Sequence, residues 1–275
     1  MELHKSITSI SNSEVREFRK KIRTFYRKNK RELPFRNTSD PYKITVSELM
    51  LQQTQVDRVI PYYQRWINRF PDWLSLHNSS QQDILATWSG LGYNRRALFL
   101  KKITDAVVTI YDGNFPQEIE ESIKLPGIGK YTANAIAVFA FNKRVAAVDT
   151  NIRKVLLSSF QLSPDTTDKE VQKLAELVLP KTKLRSWHYA LMDYAKSLPK
   201  STHNKYASKY KQSQFEGTIR QIRGFILKEL TAGTTLTRKT ISRSLNRDSA
   251  DVSKAVSELV QEGFITAIGN NIKIK

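Results

Sequence analysis

The residues with the clearest chemical potential lie in one octet, Leu125-Pro126-Gly127-Ile128-Gly129-Lys130-Tyr131-Thr132. Glycines at 127 and 129 let a turn between helices expose consecutive backbone N–H groups, and the helix that follows begins at its positive end. Together they form an anion site able to hold a DNA phosphate without a side chain. Gly-x-Gly alone also describes an ordinary helix connection. What adds weight is Val148-Asp149-Thr150-Asn151, twenty residues beyond Gly129 and after an apolar helix. Asp149 stands where an aspartate caps the helix that starts at Thr150. A second carboxylate, Glu48, lies in Ser47-Glu48-Leu49-Met50-Leu51-Gln52-Gln53-Thr54-Gln55, close to Val46, Leu49 and Leu51. An apolar setting raises a carboxyl pKa and keeps a proton available for donation. The plain alternative for any single such residue is an exposed helix glutamate.

The elements that position these residues are mostly helical. Asn12-Ser13 caps a helix through Val15, Phe18, Ile22 and Phe25-Tyr26, which recur at helical spacing. Asp40-Pro41 opens a second, with proline suited to a first turn, and a third runs through Val56, Ile60, Tyr63 and Phe70. Further helices are expected over 80–88, 94–112, 117–123, 130–141, 150–159, 168–178 and 184–198, joined by short connections such as Gly90-Leu91-Gly92-Tyr93. No strand pattern occurs before residue 200, so the body is read as an α-helical domain over 1–200. A polar, basic stretch over 201–217 is read as a linker or docked extension. A helix over 218–230, a helix pair at 237–245 and 249–262, and a hairpin across Gly269-Asn270 then describe a winged helix over 218–275.

Composition narrows the function. Forty per cent of the 275 residues are apolar, and 12 Phe, 11 Tyr and 4 Trp supply bulk for a core. The 45 Lys and Arg exceed the 26 Asp and Glu by 19, and the pI is near 10.0. Such an excess suits a polyanionic partner, either nucleic acid or an anionic membrane surface. Residues 201–275 hold 13 basic and 6 acidic side chains, a net of +7, which leaves +12 for the rest. The absence of cysteine excludes disulfides, thiol catalysis and thiolate metal sites. No apolar run approaches a membrane span or a secretory signal core, so the expected setting is the cytoplasm, at the nucleoid in a prokaryote, with no membrane partner.

Leu125–Phe141 followed by Ala147-Val148-Asp149-Thr150-Asn151-Ile152-Arg153 resembles the helix–hairpin–helix base-excision DNA glycosylases. Within that superfamily, LPFRNTSDPYKITVSELMLQQTQVDRVIPYYQRW and WSGLGYNRRALFLKK resemble the adenine DNA glycosylases of the MutY type. The similarity covers residues 30–198, with its segments in the family's order. The resemblance implies that Asp149 is the catalytic aspartate, which stabilises an oxocarbenium-like sugar or bonds to it transiently, while still capping its helix. It implies that Glu48 protonates the departing adenine and then helps activate water. Bifunctional relatives carry a lysine at position 131 and nick the strand through a Schiff base. Here that residue is Tyr131, and Lys130 is turned away by about 100°. A monofunctional enzyme is therefore expected, with Tyr131 similar to a pocket tyrosine that contacts the catalytic carboxylate in some adenine and mismatch-thymine glycosylases. Arg31, Phe35, Leu51 and Asp193 match positions around the flipped adenine, Phe35 replacing a usual tryptophan. Gln53 and Tyr93 match residues that fill the gap left by an extruded base, though Tyr93 is equally an ordinary turn tyrosine. Gln52, Thr54, Arg95, Gly127, Gly129, Lys130 and Asn151 complete the expected DNA contacts.

Two departures from the family pattern stand out. Most relatives continue into four cysteines that bind a 4Fe–4S cluster, whereas Leu191–Lys200 is followed by none. No cofactor or metal is expected, and DNA contact at this place passes to Lys196, Lys200, Lys205 and Lys209. The usual adenine enzyme also ends in a larger domain that inspects 8-oxoguanine, where this chain has the winged-helix pattern. The expectation is a monomeric monofunctional glycosylase acting on double-stranded DNA at a mismatch or lesion, with adenine opposite 8-oxoguanine or guanine as its target. The alternatives are a mismatch thymine, uracil or damaged-base glycosylase, and a non-catalytic DNA-binding protein.

Overall fold

Most helix starts are set locally, by side chains that satisfy the orphan N–H groups of a first turn. In the computed structural model, residues 6–206, 214–269 and 271–275 are described. Lys209, the rest of 207–213 and the hairpin-turn residue Asn270 lie outside them. Helix α1 (Asn12–Asn29) begins at Ser11 rather than at Asn12-Ser13. The Ser11 hydroxyl accepts the Glu14 N–H and the Glu14 carboxylate accepts the Ser11 N–H, a reciprocal pair that no later residue there can form. Helices α2 (Pro41–Leu51) and α3 (Val56–Arg69) follow. The short α4 (Trp73–His77) has too few residues for a periodic signal, and a capping box of Asp72 and Ser75 defines it.

Helices α5 (Gln81–Trp88), α6 (Arg95–Thr109), α7 (Ile119–Ser122) and α8 (Lys130–Phe139) come next. They are followed by α9 (Thr150–Ser159), α10 (Asp168–Val178) and α11 (Leu184–Lys196). The stretch expected to be a linker contains α12 (Lys200–Lys205), which packs on α9, and the Tyr206 hydroxyl donates to Leu162 O at 3.1 Å. The C-terminal elements are α13 (Ile219–Thr231), α14 (Arg238–Leu245), α15 (Ser249–Gln261) and an antiparallel hairpin. Its strands β1 (Ile265–Ile268) and β2 (Asn271–Ile274) pair Ile265 with Ile274, and Leu236 adds a bridge to Ile272.

The chain forms two compact units. The first comprises Met1–Ile44, Pro116–Lys124 and Ile128–Lys211. There α11 is the central element, packed against α1 and α9. Phe18 of α1 meets Phe160 at 5.0 Å and the Trp187 ring edge at 5.9 Å. Arg19 draws α1 to the end of α10 by donating to the carbonyls of Leu177, Val178 and Leu179. Helix α8 is buried continuously from Thr132 to Phe139.

The second unit comprises Thr45–Phe115, Leu125–Gly127 and Gln212–Lys275. Trp66 packs between Phe70 at 4.9 Å and Trp88 at 5.4 Å. These units do not follow the expected boundaries at 200 and 218, because α13 is not self-sufficient. It buries Ile222, Ile226, Leu227 and Leu230 against α15 and also packs on α5, and each such side chain is worth about 1.5–3 kcal/mol once buried. Two neighbouring side chains of α5 complete the attachment. Gln81 donates to Gly263 O and Phe264 O at 2.9 and 3.0 Å, and Gln82 donates to Leu230 O and Thr231 O at 3.1 and 3.2 Å. Both glutamines thus satisfy carbonyls just past or at the ends of helices, groups that would otherwise need water.

Candidate active site and DNA contacts

In the first unit, Asp149 caps α9. Its Oδ1 accepts the Ile152 N–H at 2.7 Å and its Oδ2 accepts Asn151 Nδ2 at 2.9 Å. Desolvation of the carboxyl pushes its pKa above the ordinary aspartate value, and these hydrogen bonds pull against that rise. The expected cap is therefore present, and it aims the carboxylate. Asn151, exposed, is one of the groups that holds it.

Arg31 and Asp193 lie together, and a third residue joins them. Asp193, only 3% exposed on α11, accepts the Arg31 backbone N–H and Nε at 3.2 and 2.9 Å. It also accepts both terminal nitrogens of Arg36, at 2.8 and 2.9 Å. That two-pronged pairing has the fixed geometry of a guanidinium–carboxylate fork. Arg36 lies over the Tyr189 ring at 4.5 Å, and Tyr189 stacks on Phe139 at 4.7 Å. With its oxygens engaged by two arginines, Asp193 acts as the anchor of a cationic wall. Arg31 is held through its Nε edge and its backbone N–H. Phe35 is buried in the short 3-10 turn Pro34–Arg36 between the two arginines.

The hairpin has the backbone its glycines imply. Gly127 sits at φ +79°, and a Cβ there would come within 2.5 Å of the Phe99 ring, so both conformation and space demand glycine. Gly129 is the extended N-cap of α8, with no side chain capping the first turn. Gly129 and Lys130 are exposed at the positive end of the helix. Tyr131 is part-buried at the second position of α8.

In the second unit, Glu48 is 7% exposed on α2, along a stretch buried from Thr45 to Met50. Leu51, Gln52 and Thr54 are part-buried at the helix end, while Gln53 is exposed and has φ 54°. Tyr93, 40% exposed, has φ 48°. Left-handed backbone at residues other than glycine costs about 1–3 kcal/mol and persists where surroundings enforce it. Arg96 is what enforces it. Buried at 5% exposure, its Nη1 donates to Leu49 O, Met50 O and Gln52 O at 2.9, 2.7 and 2.6 Å. Its Nη2 donates to Gly92 O at 3.0 Å and Thr54 Oγ1 at 3.2 Å, and its Nε to Tyr93 O at 3.3 Å. The guanidinium lies over Trp88 at 5.3 Å and Tyr93 at 5.2 Å. Dehydration pushes its pKa down to about 10, which still leaves it charged at neutral pH. One arginine thus ties the end of the Glu48 helix, the Gln52–Thr54 turn and the Tyr93 turn together. Arg95, by contrast, is exposed over the Phe99 ring at 5.5 Å.

Sequence reasoning missed Arg36 and Arg96. For Arg96 a signal existed: positions 96, 100, 103 and 107 form the buried stripe of α6, so its phase pointed inward while that of Arg95 pointed out. For Arg36 there was none beyond its type, because its partner lies 157 residues away.

Residues 46–181 match the HhH-GPD superfamily base excision DNA repair proteins. An adenine DNA glycosylase of Mycolicibacterium smegmatis (strain ATCC 700084 / mc(2)155) is 31% identical over 264 residues, covering 88% of this chain and 90% of that protein. The chain belongs to the HhH-GPD superfamily. A second relative, the adenine DNA glycosylase of Buchnera aphidicola subsp. Baizongia pistaciae (strain Bp), is 40% identical over 166 residues. That match takes in 60% of this chain and 47% of the relative, so the chain spans about half the length of that protein. Among solved structures, a thermostable thymine-DNA glycosylase superposes with a TM-score of 0.63 at 29% identity, covering 69% of this chain and 90% of that one. The HhH-GPD match contains Glu48, the Tyr93 turn, the hairpin and Asp149; Arg31, Phe35 and Asp193 flank it.

Proposed function

We propose that this protein is a monofunctional DNA glycosylase that removes adenine mispaired with 8-oxoguanine or guanine from double-stranded DNA. The observation that carries the proposal is the match along nearly the whole chain to a protein named adenine DNA glycosylase. The presence of carboxylates at 48 and 149 supports it. Glu48 donates a proton to the departing base, and its buried setting on α2 keeps water from competing for that proton. Asp149 stabilises the positive charge that develops on the sugar. Gln53 and Tyr93 occupy the space of the extruded nucleotide, and the exposed Gly129-Lys130 start of α8 holds a backbone phosphate. Tyr131 in place of a lysine leaves no amine for a Schiff base at that position. A strand-scission panel on duplexes with A·8-oxoG, A·G, T·G, U·G and 8-oxoG·C pairs tests the specificity. Alkali-dependent cleavage at adenine is the expected result.

One observation favours a second specificity: the structural neighbour at 29% identity is named for thymine. Cleavage confined to the T·G duplex would establish that reading instead. The residues do not suit a thiolate-held iron–sulfur cluster, since the chain has no cysteine and α12 with Tyr206 occupies the sequence that follows α11. The purified protein should therefore be colourless; stoichiometric iron by elemental analysis would refute this.

A further inference from the structure

Residues 145–149, the last part of the connection from α8 to α9, end in Asp149 and are held by side chains from three helices of the first unit. Ala146 O accepts Asn134 Nδ2 from α8 at 3.0 Å and Gln172 Nε2 from α10 at 3.1 Å. The third tie comes from α11. The Ala147 N–H donates to His188 Nε2 at 3.1 Å, and His188 Nδ1 lies 2.8 Å from Leu184 O, one turn back. A ring nitrogen that accepts a backbone N–H carries no proton, so the proton is on Nδ1 and is given to Leu184 O. His188 is 2% exposed, edge-on to Phe139 at 6.0 Å. Both hydrogen bonds are to backbone, so the tautomer and the ring plane are fixed.

Nothing in the proposed chemistry uses this imidazole. Its partner, however, lies two residues before the carboxylate that meets the sugar. Among the described residues, the carboxyl's hydrogen bonds run to Asn151, Ile152 and its own backbone N–H, all within the cap of α9. They orient Asp149 relative to α9 and leave the chain entering that cap to be registered from elsewhere. We propose that His188 is a positioning residue for Asp149, setting the carboxylate through the Ala147 N–H and tying it to α11, which also carries Asp193. This rests on the proposed glycosylase activity. A geometric error of about 1 Å at a reacting group costs on the order of a hundredfold in rate. An unanswered Ala147 N–H would also be free to seek another partner and move the segment.

The test compares the full-length wild type with H188L and H188Q. Leucine removes the acceptor, whereas glutamine places Oε1 the same number of bonds from Cα as Nε2. Circular dichroism reports folding, binding to an uncleavable abasic-analogue duplex reports affinity, and single-turnover excision gives both rate constant and amplitude. Folded H188L should bind within about twofold of wild type while its single-turnover rate constant falls about ten- to a hundredfold. H188Q should recover to within about fivefold of wild type. A merely structural role would lower the amplitude, through a smaller active fraction, and leave the rate constant alone; that result overturns the proposal. Should H188L fail to fold, H188Q decides: folded but more than about thirtyfold slow, it shows that the acceptor is not what matters. Absence of excision by the wild type from every duplex of the panel would instead remove the glycosylase reading itself, and this one with it.

Discussion

Replacing Arg96 with methionine keeps an aliphatic stem of similar length and removes every donor. Nη1 has two hydrogens and three carbonyl acceptors, so it makes the equivalent of two full bonds, and Nη2 to Gly92 O makes a third. Each charge-assisted bond is worth about 1.5–3 kcal/mol. Against them stands the dehydration that pulls the guanidinium pKa down to about 10, a cost of roughly 3 kcal/mol. The net loss for Arg96→Met is therefore about 3 kcal/mol, most of it from carbonyls left buried without donors. Arg96→Lys retains the charge but not the fork, and one ammonium cannot serve both the end of α2 and the 92–93 turn, so about half the loss should remain. Urea unfolding followed by tryptophan fluorescence is well placed to report this, because Trp88 lies directly under the guanidinium. At temperatures where R96M is still folded, its affinity for a mispaired duplex should fall about tenfold or more, since Gln53 and Tyr93 lose their enforced conformations. An R96M protein within about 1 kcal/mol of wild type, or a destabilised one with unchanged duplex affinity, would refute the reasoning.

Glu48→Gln and Asp149→Asn should each lower single-turnover excision by about 10²–10⁴-fold with little change in duplex affinity. For Asp149 the folded pKa lies above the ordinary 3.8, so the fold favours the protonated form, and its contribution to stability is lost as pH rises from 3.8 through the folded value. D149N should accordingly melt no lower than wild type at neutral pH, with that advantage shrinking in acid as the wild-type carboxyl takes up its proton; a lower melting temperature at neutral pH would contradict the burial argument. Strand cleavage should require heat or alkali, and borohydride should trap no covalent DNA complex, because position 131 is tyrosine; an efficient trapped adduct would overturn this. Joint replacement of Lys239, Arg243, Lys254 and Lys273 by serine should weaken binding to every duplex alike. It should also flatten the salt dependence by about 0.9 in log–log slope for each phosphate that is no longer neutralised; an unchanged slope would show that these four side chains do not touch DNA.

The helices were legible wherever a cap and a 3.6-residue apolar period coincided, as for α9 and α10. They were not where an element is too short to show a period, as in α4 and α12. Gly127 was legible because only glycine satisfies φ +79° beside the Phe99 ring. The attachment of α13 was not, for a different reason. Its apolar stripe predicts that something must cover it, but the stripe cannot say that α5 shares the covering or that Gln81 and Gln82 meet carbonyls 148 to 183 residues further on.

The same asymmetry runs through the site. Groups that would meet DNA or substrate, such as Glu48, Asp149 and Tyr93, stand in short recognisable strings, because chemistry fixes residue type at a position. Groups that aim them do not, because a backbone N–H or carbonyl can be satisfied by many side chains from many places in a fold. Arg96 answers acceptors 42 to 47 residues away, and His188 answers an N–H 41 residues away. Their types follow from donor and acceptor counts at the target: several carbonyls around one point call for a guanidinium, and a lone buried N–H calls for an unprotonated acceptor. That logic becomes usable only after the backbone is in place. It then makes a claim that burial alone does not, since two equally buried residues should differ in effect according to whether the atom they satisfy lies beside the reacting carboxylate. Arg19 supplies the control. It also caps carbonyls across the first unit, those of Leu177, Val178 and Leu179, but far along the chain from Asp149. Because Arg19 is only part-buried, Arg19→Met should cost less stability than R96M, while leaving the excision rate of the folded fraction near wild type. An equal loss of rate in R19M would mean that any damage to the framework slows the chemistry, and that Arg96 and His188 have no special claim to positioning.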